Sequence, residues 1–137
     1  MGVEIRPVTG AGGLKRFVSF PYVLYAGNPF WVPPLQSSEL DTFRWDKNPS
    51  FEFCEAKYWL AFKDGKVAGR VAGILNNGYI KTWGEKRLRF GSIEFIDDDE
   101  VSGALLGAVE GWAREKGMQA VHGPLGFTDL DPEGMLV

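Results

Sequence analysis

The stretch LRFGSIEFIDDDEVSGALLGAVEGWAREKG, residues 88–117, decides the fold of this 137-residue chain. Residues 88–96 are rich in β-formers and predict a strand, 97–100 make a short acidic turn, and 101–116 predict a helix. Val101, Leu105, Ala108, Val109, Trp112 and the stem of Lys116 recur at helical spacing, so one face of that helix must lie on a sheet. Asp97 and Glu100 stand at capping-box spacing, one carboxylate to accept from early amides and the other to reach back to the cap. Arg114, Lys116 and Gly117 supply a cationic last turn and a left-handed glycine stop. Gly103, Gly107 and Gly111 share one ridge, each at a cost of about 1 kcal/mol against alanine. Such a ridge predicts a close approach, by the underlying sheet in the first reading and by a ligand or second subunit in the other.

Outward from this stretch, residues 120–123 predict a short strand, so strand, helix and strand form a parallel, right-handed crossover. Upstream, 58–62 and 67–75 flank Lys63-Asp64-Gly65-Lys66, where Asp-Gly supplies the positive φ angles of a tight hairpin. Residues 3–8 alternate weakly as a first strand, ended by Gly10, Gly12 and Gly13. Leu14, Phe17, Val18, Tyr22 and Tyr25 predict a helix over 14–25 that Pro21 kinks or splits and Gly27-Asn28-Pro29 ends. The segment FPYVLYAGNPFWVPPL, residues 20–35, predicts an aromatic-proline cap over the core, with the wall of a ligand cleft as the second reading. A helix over 35–45 follows Pro33 and Pro34, then a loop over 46–55; residues 79–86 connect strands and 125–137 read as a loop.

Hydrophobic residues make up 45% and charged residues 24% of the chain, which predicts a single globular domain with a sizeable core. A net charge of -3 provides no basic footprint, so nucleic acid is not an expected partner. Cys54 stands alone, which excludes an intrachain disulfide, suits a cytoplasmic protein, and marks a small buried hydrophobe in preference to a nucleophile. No charged-then-apolar leader and no apolar run of about 20 residues is present, so no membrane anchoring is expected. The acidic run 97–100 lacks the alternating ligand spacing of a calcium loop, and Asp129-x-Asp131-x-Glu133 lacks the rest of one. With no zinc spacing, P-loop or dinucleotide fingerprint, no metal is expected.

The element order, the helix VSGALL…AREKGM, the segments FPYVLY, WVPPL and NPSFEFCEAKYWLA, and the HGP after the last strand resemble the GNAT superfamily of N-acetyltransferases and a bacterial group within it. The resemblance implies an α/β fold with a mixed, mostly antiparallel sheet flanked by helices. It covers the N-terminal two thirds of that fold, so residues 1–137 form one GNAT-like domain without its C-terminal strands, a partial domain or a truncated piece.

It also implies acetyl-CoA as donor, with backbone groups of Phe95 and Ile96 on the pantetheine and the amides of Val101, Ser102 and Gly103 facing the phosphates. Here the acidic turn inverts the usual charge, and each carboxylate beside a pyrophosphate opposes it by on the order of 1 kcal/mol at a solvated 4 Å. Glu94 is the candidate general base, with pairing to Arg70 or Arg89 as its other reading. His122 is the second candidate, with a structural hydrogen bond as its other reading. The implied function is acyl-CoA-dependent N-acyl transfer, acetyl to a small amine. The alternative is a non-catalytic module on the same fold, binding a ligand or partner through the glycine ridge and the aromatic-proline segment. An incomplete sheet would leave an edge for a homodimer.

Overall fold

The structure, a computed structural model, describes residues 2–27, 40, 43–44, 54–76 and 87–123. The elements run β1 (Glu4–Pro7), α1 (Gly10–Leu24), β2 (Cys54–Lys63), β3 (Lys66–Asn76), β4 (Arg87–Phe95), α2 (Asp99–Glu115) and β5 (Ala120–His122). They build one sheet in sequential order, antiparallel from β1 to β4 and parallel between β4 and β5. The mixed sheet with one parallel crossover is the architecture expected. Asp64 (φ 54°) and Gly65 (φ 77°) make the hairpin turn between β2 and β3. β2 begins inside the loop expected over 46–55, because Cys54 and Glu55 find ladder partners in Asn76 and Leu75.

Strand alternation sends successive side chains to opposite faces, and one face carries α1 while the other carries α2. Tyr58, Leu60 and Ile74 pack with Leu14, Phe17 and Val18 of α1. Trp59, Val71 and Leu88 pack with Val101, Leu105 and Val109 of α2. Each fully buried aliphatic side chain contributes about 1.5–3 kcal/mol, so both layers hold their helix in place.

The helix boundaries correct three expectations. α1 starts at Gly10, so the glycines expected to end the first strand supply its opening turn. It also continues through Pro21 without splitting. Proline has no N–H, so the carbonyl of Phe17, four residues back, loses its helical donor; Arg70 Nη1 donates to that carbonyl instead, at 3.0 Å. α2 starts at Asp99, and its cap is Asp98, not Asp97, with the Asp98 carboxylate accepting from the Glu100 amide at 2.9 Å. Glu100 accepts from the Val3 amide at 3.1 Å rather than reaching back to the cap. The C-terminal end forms as expected, with Gly117 at φ 74°, Met118 N donating to Ala113 O at 2.8 Å and Gly117 N to Arg114 O at 3.1 Å.

The glycine ridge is also corrected. Gly103, Gly107 and Gly111 are exposed, and a Cβ on any of them would meet nothing within 4 Å among the described residues. They lie two residues on from Val101, Leu105 and Val109, about 200° around the helix, and so face away from the sheet. The close approach comes from β3. A Cβ on Gly69 would stand 2.8 Å from Leu105 Cδ1, and one on Gly73 would stand 2.9 Å from Trp112. The expected elements at 28–35, 79–86 and 125–137, and the helix at 35–45 apart from Leu40, Phe43 and Arg44, lie outside the described residues.

Candidate functional site

A bulge in β4 aims Glu94. Arg70 pairs with Glu94 and Ala72 with Gly91, so Val71 faces both Ser92 and Ile93, and Ser92 takes φ 50°. The extra residue changes which positions face α2. Leu88 and Phe90 before the bulge and Ile93 and Phe95 after it all join the α2 layer. Glu94 therefore falls on the α1 face, directly across from Arg70.

Two groups meet it there. The Tyr25 hydroxyl, from the C-cap of α1, donates to Glu94 Oε2. Arg70, 7% exposed, presents its positive charge from β3. Its guanidinium carbon lies 4.8 Å from the Phe17 ring centroid and 5.9 Å from that of Phe43, and its Nη1 is fixed on the Phe17 carbonyl. Burial pushes the Glu94 carboxyl above its ordinary value, while the Tyr25 hydrogen bond and the Arg70 charge pull it down. Burial, then the Glu94 carboxylate, pushes the Tyr25 phenol up. Of the two arginines named as possible partners, Arg70 is the one in register with Glu94.

The residues named for the donor fall in three places. Ile96 N donates to Ala68 O at 2.9 Å and is spent on β3. Backbone groups alternate between a strand's two edges, so those of Phe95 and Ile93 point to the opposite edge. On that edge, among the described residues, β5 pairs with Arg87, Leu88 and Arg89. His122 lies opposite Arg89, before the bulge, so the register does not bring its backbone beside Glu94. Just after this point Gly123 lies close against β4, where a Cβ on it would stand 2.1 Å from the Phe90 carbonyl oxygen. A cavity of about 200 Å³ lies there on the α2 face, lined by Phe90, Leu106, Val109, Glu110 and Val121, away from the Glu94 carboxyl.

The start of α2 does not fit a diphosphate. Val101 N and Ser102 N donate to Asp98 O at 3.1 and 3.2 Å, and Glu100 N is held by the Asp98 carboxylate. Because the helix begins two residues earlier than expected, the Ser102 and Gly103 amides sit inside its first turns. The unclaimed amides of an N-terminus belong to its first positions, here Asp98 and Asp99, which carry carboxylates themselves. Lys63 pairs with Asp98, its cation committed to the cap. Among the described residues no group of three or more His, Cys, Asp or Glu could hold a metal ion, and no helix is long and apolar enough to cross a membrane. Cys54 is buried and its thiol is pushed up to about 11 by that burial, which suits packing rather than nucleophilic attack.

Tyr25 and the anchoring of Arg70 were not foreseen. A signal for the second exists in the sequence, since Pro21 stands four residues after Phe17 and must free its carbonyl. No local signal marks Tyr25, which is 69 residues from Glu94.

No family model matches the chain. It is 32% identical over 133 residues to Protein YghO of Escherichia coli (strain K12), covering 97% of this chain and 34% of that protein. It is 31% identical over 136 residues to Bacterial ceramide synthase of Caulobacter vibrioides (strain NA1000 / CB15N), covering 98% and 35%. The chain thus spans about a third of the length of these curated relatives. Among solved structures, it matches an aminoglycoside acetyltransferase, AAC(6')-Iy in complex with a CoA bisubstrate analogue, with TM-score 0.61 at 17% identity over 89% of this chain and 78% of that one. A ribosomal-protein-alanine N-acetyltransferase from Brucella melitensis biovar Abortus 2308 gives TM-score 0.57 at 16% identity, over 88% and 78%. A tandem GNAT protein from the clavulanic acid biosynthesis pathway gives 0.59 at 15% identity, over 83% and 34%. These likenesses show the fold, which is that of the GNAT acetyltransferases.

Proposed function

From a chain with the GNAT fold as the premise, we propose an N-acyltransferase in which Glu94 is the general base and an acyl thioester is the donor. The observation that carries this reading is the placing of Glu94. A bulge sets its half-buried carboxyl on the α1 face, beside a stretch of β4 edge that β5 does not pair among the described residues. A carboxyl raised by burial is a better proton acceptor near neutrality than an ordinary glutamate. Glu94 would take the proton from the acceptor nitrogen, and the edge groups of Ile93 and Phe95 would hold the extended pantetheine arm. A CoA thioester would supply the activated carbonyl; its diphosphate finds no cradle at the start of α2, so no role is assigned to that helix end. The Caulobacter relative's name suggests an acceptor class. A ceramide is the N-acyl amide of a long-chain amino alcohol, so sphinganine is the amine to test first.

The test is the thermal unfolding midpoint with acetyl-CoA and, separately, acetyl-pantetheine, which lacks the diphosphate. Saturation at about 100 times the dissociation constant adds roughly 2.7 kcal/mol, a rise of several degrees for a domain of this size. A rise with both thioesters supports the proposal, and no rise with either refutes it. The second outcome favours a non-catalytic binding module, the reading to which the acidic start of α2, with its Glu100, Val101 and Ser102 amides taken by Asp98, lends support.

A further inference from the structure

Glu94 is held from two elements remote in sequence. Tyr25 comes from the end of α1, where its own amide is fixed on Pro21 O at 2.9 Å, and it is only 9% exposed. The ring is therefore set by the helix end and by burial, and its hydroxyl reaches one carboxylate oxygen, Oε2. Arg70 comes from β3, immobilised on the Phe17 carbonyl of the same helix. These are the titratable and charged groups that face Glu94 among the described residues. A phenol donating to Oε2 leaves Oε1 as the oxygen to receive a proton. After that transfer Oε2 still accepts from Tyr25 as a carbonyl oxygen, so the contact spans both protonation states.

We propose that Tyr25 is the positioning residue of this site, its hydroxyl holding Oε2 so that Oε1 is presented to the acceptor amine. The end of α1 thereby becomes part of the acceptor side. This inference rests on Glu94 being the base, as proposed above.

The experiment labels glutamate with carbon-13 at the carboxyl and follows Glu94, assigned by its disappearance in Glu94→Gln, through a pH titration by NMR. Removing a donor to the charged form raises a carboxyl's midpoint. Tyr25→Phe is expected to raise the Glu94 midpoint by about half a unit, roughly threefold in proton affinity. Site-specific 3,5-difluorotyrosine at position 25 keeps the ring and strengthens the donor, so it is expected to lower the midpoint even if Tyr25→Phe folds poorly. In turnover of acetyl-CoA with sphinganine, the acid limb of the pH profile is expected to move up in Tyr25→Phe by the same amount, with KM for acetyl-CoA unchanged. A Glu94 midpoint unmoved by either change overturns the inference. An acid limb that stays put while Glu94→Gln abolishes turnover overturns it too, and leaves the base reading standing. Full turnover by Glu94→Gln, or none by the unsubstituted protein, removes the base reading and this inference with it.

Discussion

Replacing Arg70 with methionine tests the anchor that ties β3 to α1 beside Glu94. The change removes a buried cation that serves the Phe17 carbonyl and faces Glu94, while keeping a side chain of comparable length among Phe17 and Phe43. A buried carbonyl left without a donor costs about 1–3 kcal/mol. Glu94 is only half-buried, keeps its Tyr25 donor and loses only the Arg70 charge facing it, so the upper end of that range covers the whole loss, about 3 kcal/mol. In urea, with a slope of about 2 kcal/mol per molar, that moves the midpoint down by about 1.5 M. Two backgrounds separate the parts. In Glu94→Gln the charge share disappears and the Arg70→Met loss shrinks. In Pro21→Ala residue 21 regains an N–H able to bond the Phe17 carbonyl, so the loss shrinks there as well, with a coupling of about 1 kcal/mol. An Arg70→Met loss of the same size in the parent and in Pro21→Ala would refute the claim that Arg70 replaces the donor proline lacks.

Gly69→Ala is expected to destabilise by about 1–3 kcal/mol, because its methyl overpacks against Leu105 and Val101. Gly107→Ala, with open space around it, is expected to stabilise by about 1 kcal/mol; urea unfolding of the pair with the signs reversed would mean that α2 packs the other way round. Asp98 has its carboxyl held below the ordinary value, first by the Lys63 hydrogen bond. Its native state then binds fewer protons than the unfolded chain between the two values, so the stability it confers is complete above the ordinary aspartate range and is lost as pH falls through the lowered one. Asp98→Asn is accordingly expected to lower the unfolding midpoint at pH 7, with the deficit fading in acid. A deficit constant with pH would show that the Lys63 pair contributes nothing.

Local chemistry was the most legible part of this fold. Asp64-Gly65 and Gly117 take the positive φ angles their positions demand, and the period of residues 101–112 identifies the buried face of α2 correctly. The start of α2 was not legible to the residue, because 97–100 offer four acidic residues in a row. Asp98 is the one that both caps the helix and pairs with Lys63 at the end of β2, a tertiary choice. The helix glycines signal a close approach, but among the described residues they face open space and the approach is made elsewhere. Close approach needs a missing side chain on only one side, and Gly69 and Gly73 of β3 supply it. Glu94 was picked out by position, yet its face depends on one bulged residue, Ser92, which no periodicity argument marks. Tyr25 could be assigned to a buried helix face, but its partner lies across the core.

The bulge ties the soundness of the core to the aim of the carboxyl. If Ser92 were taken into the ladder as an ordinary strand residue, without the bulge, the half of β4 beyond it would turn over. A carboxylate would then lie opposite Gly69, beneath Val101 and Leu105, and Ile93 would be set opposite Arg70. A register error here cannot yield a well-folded protein that is merely inactive. It announces itself as instability, so any chain of this kind that folds firmly has already been proofread at Glu94.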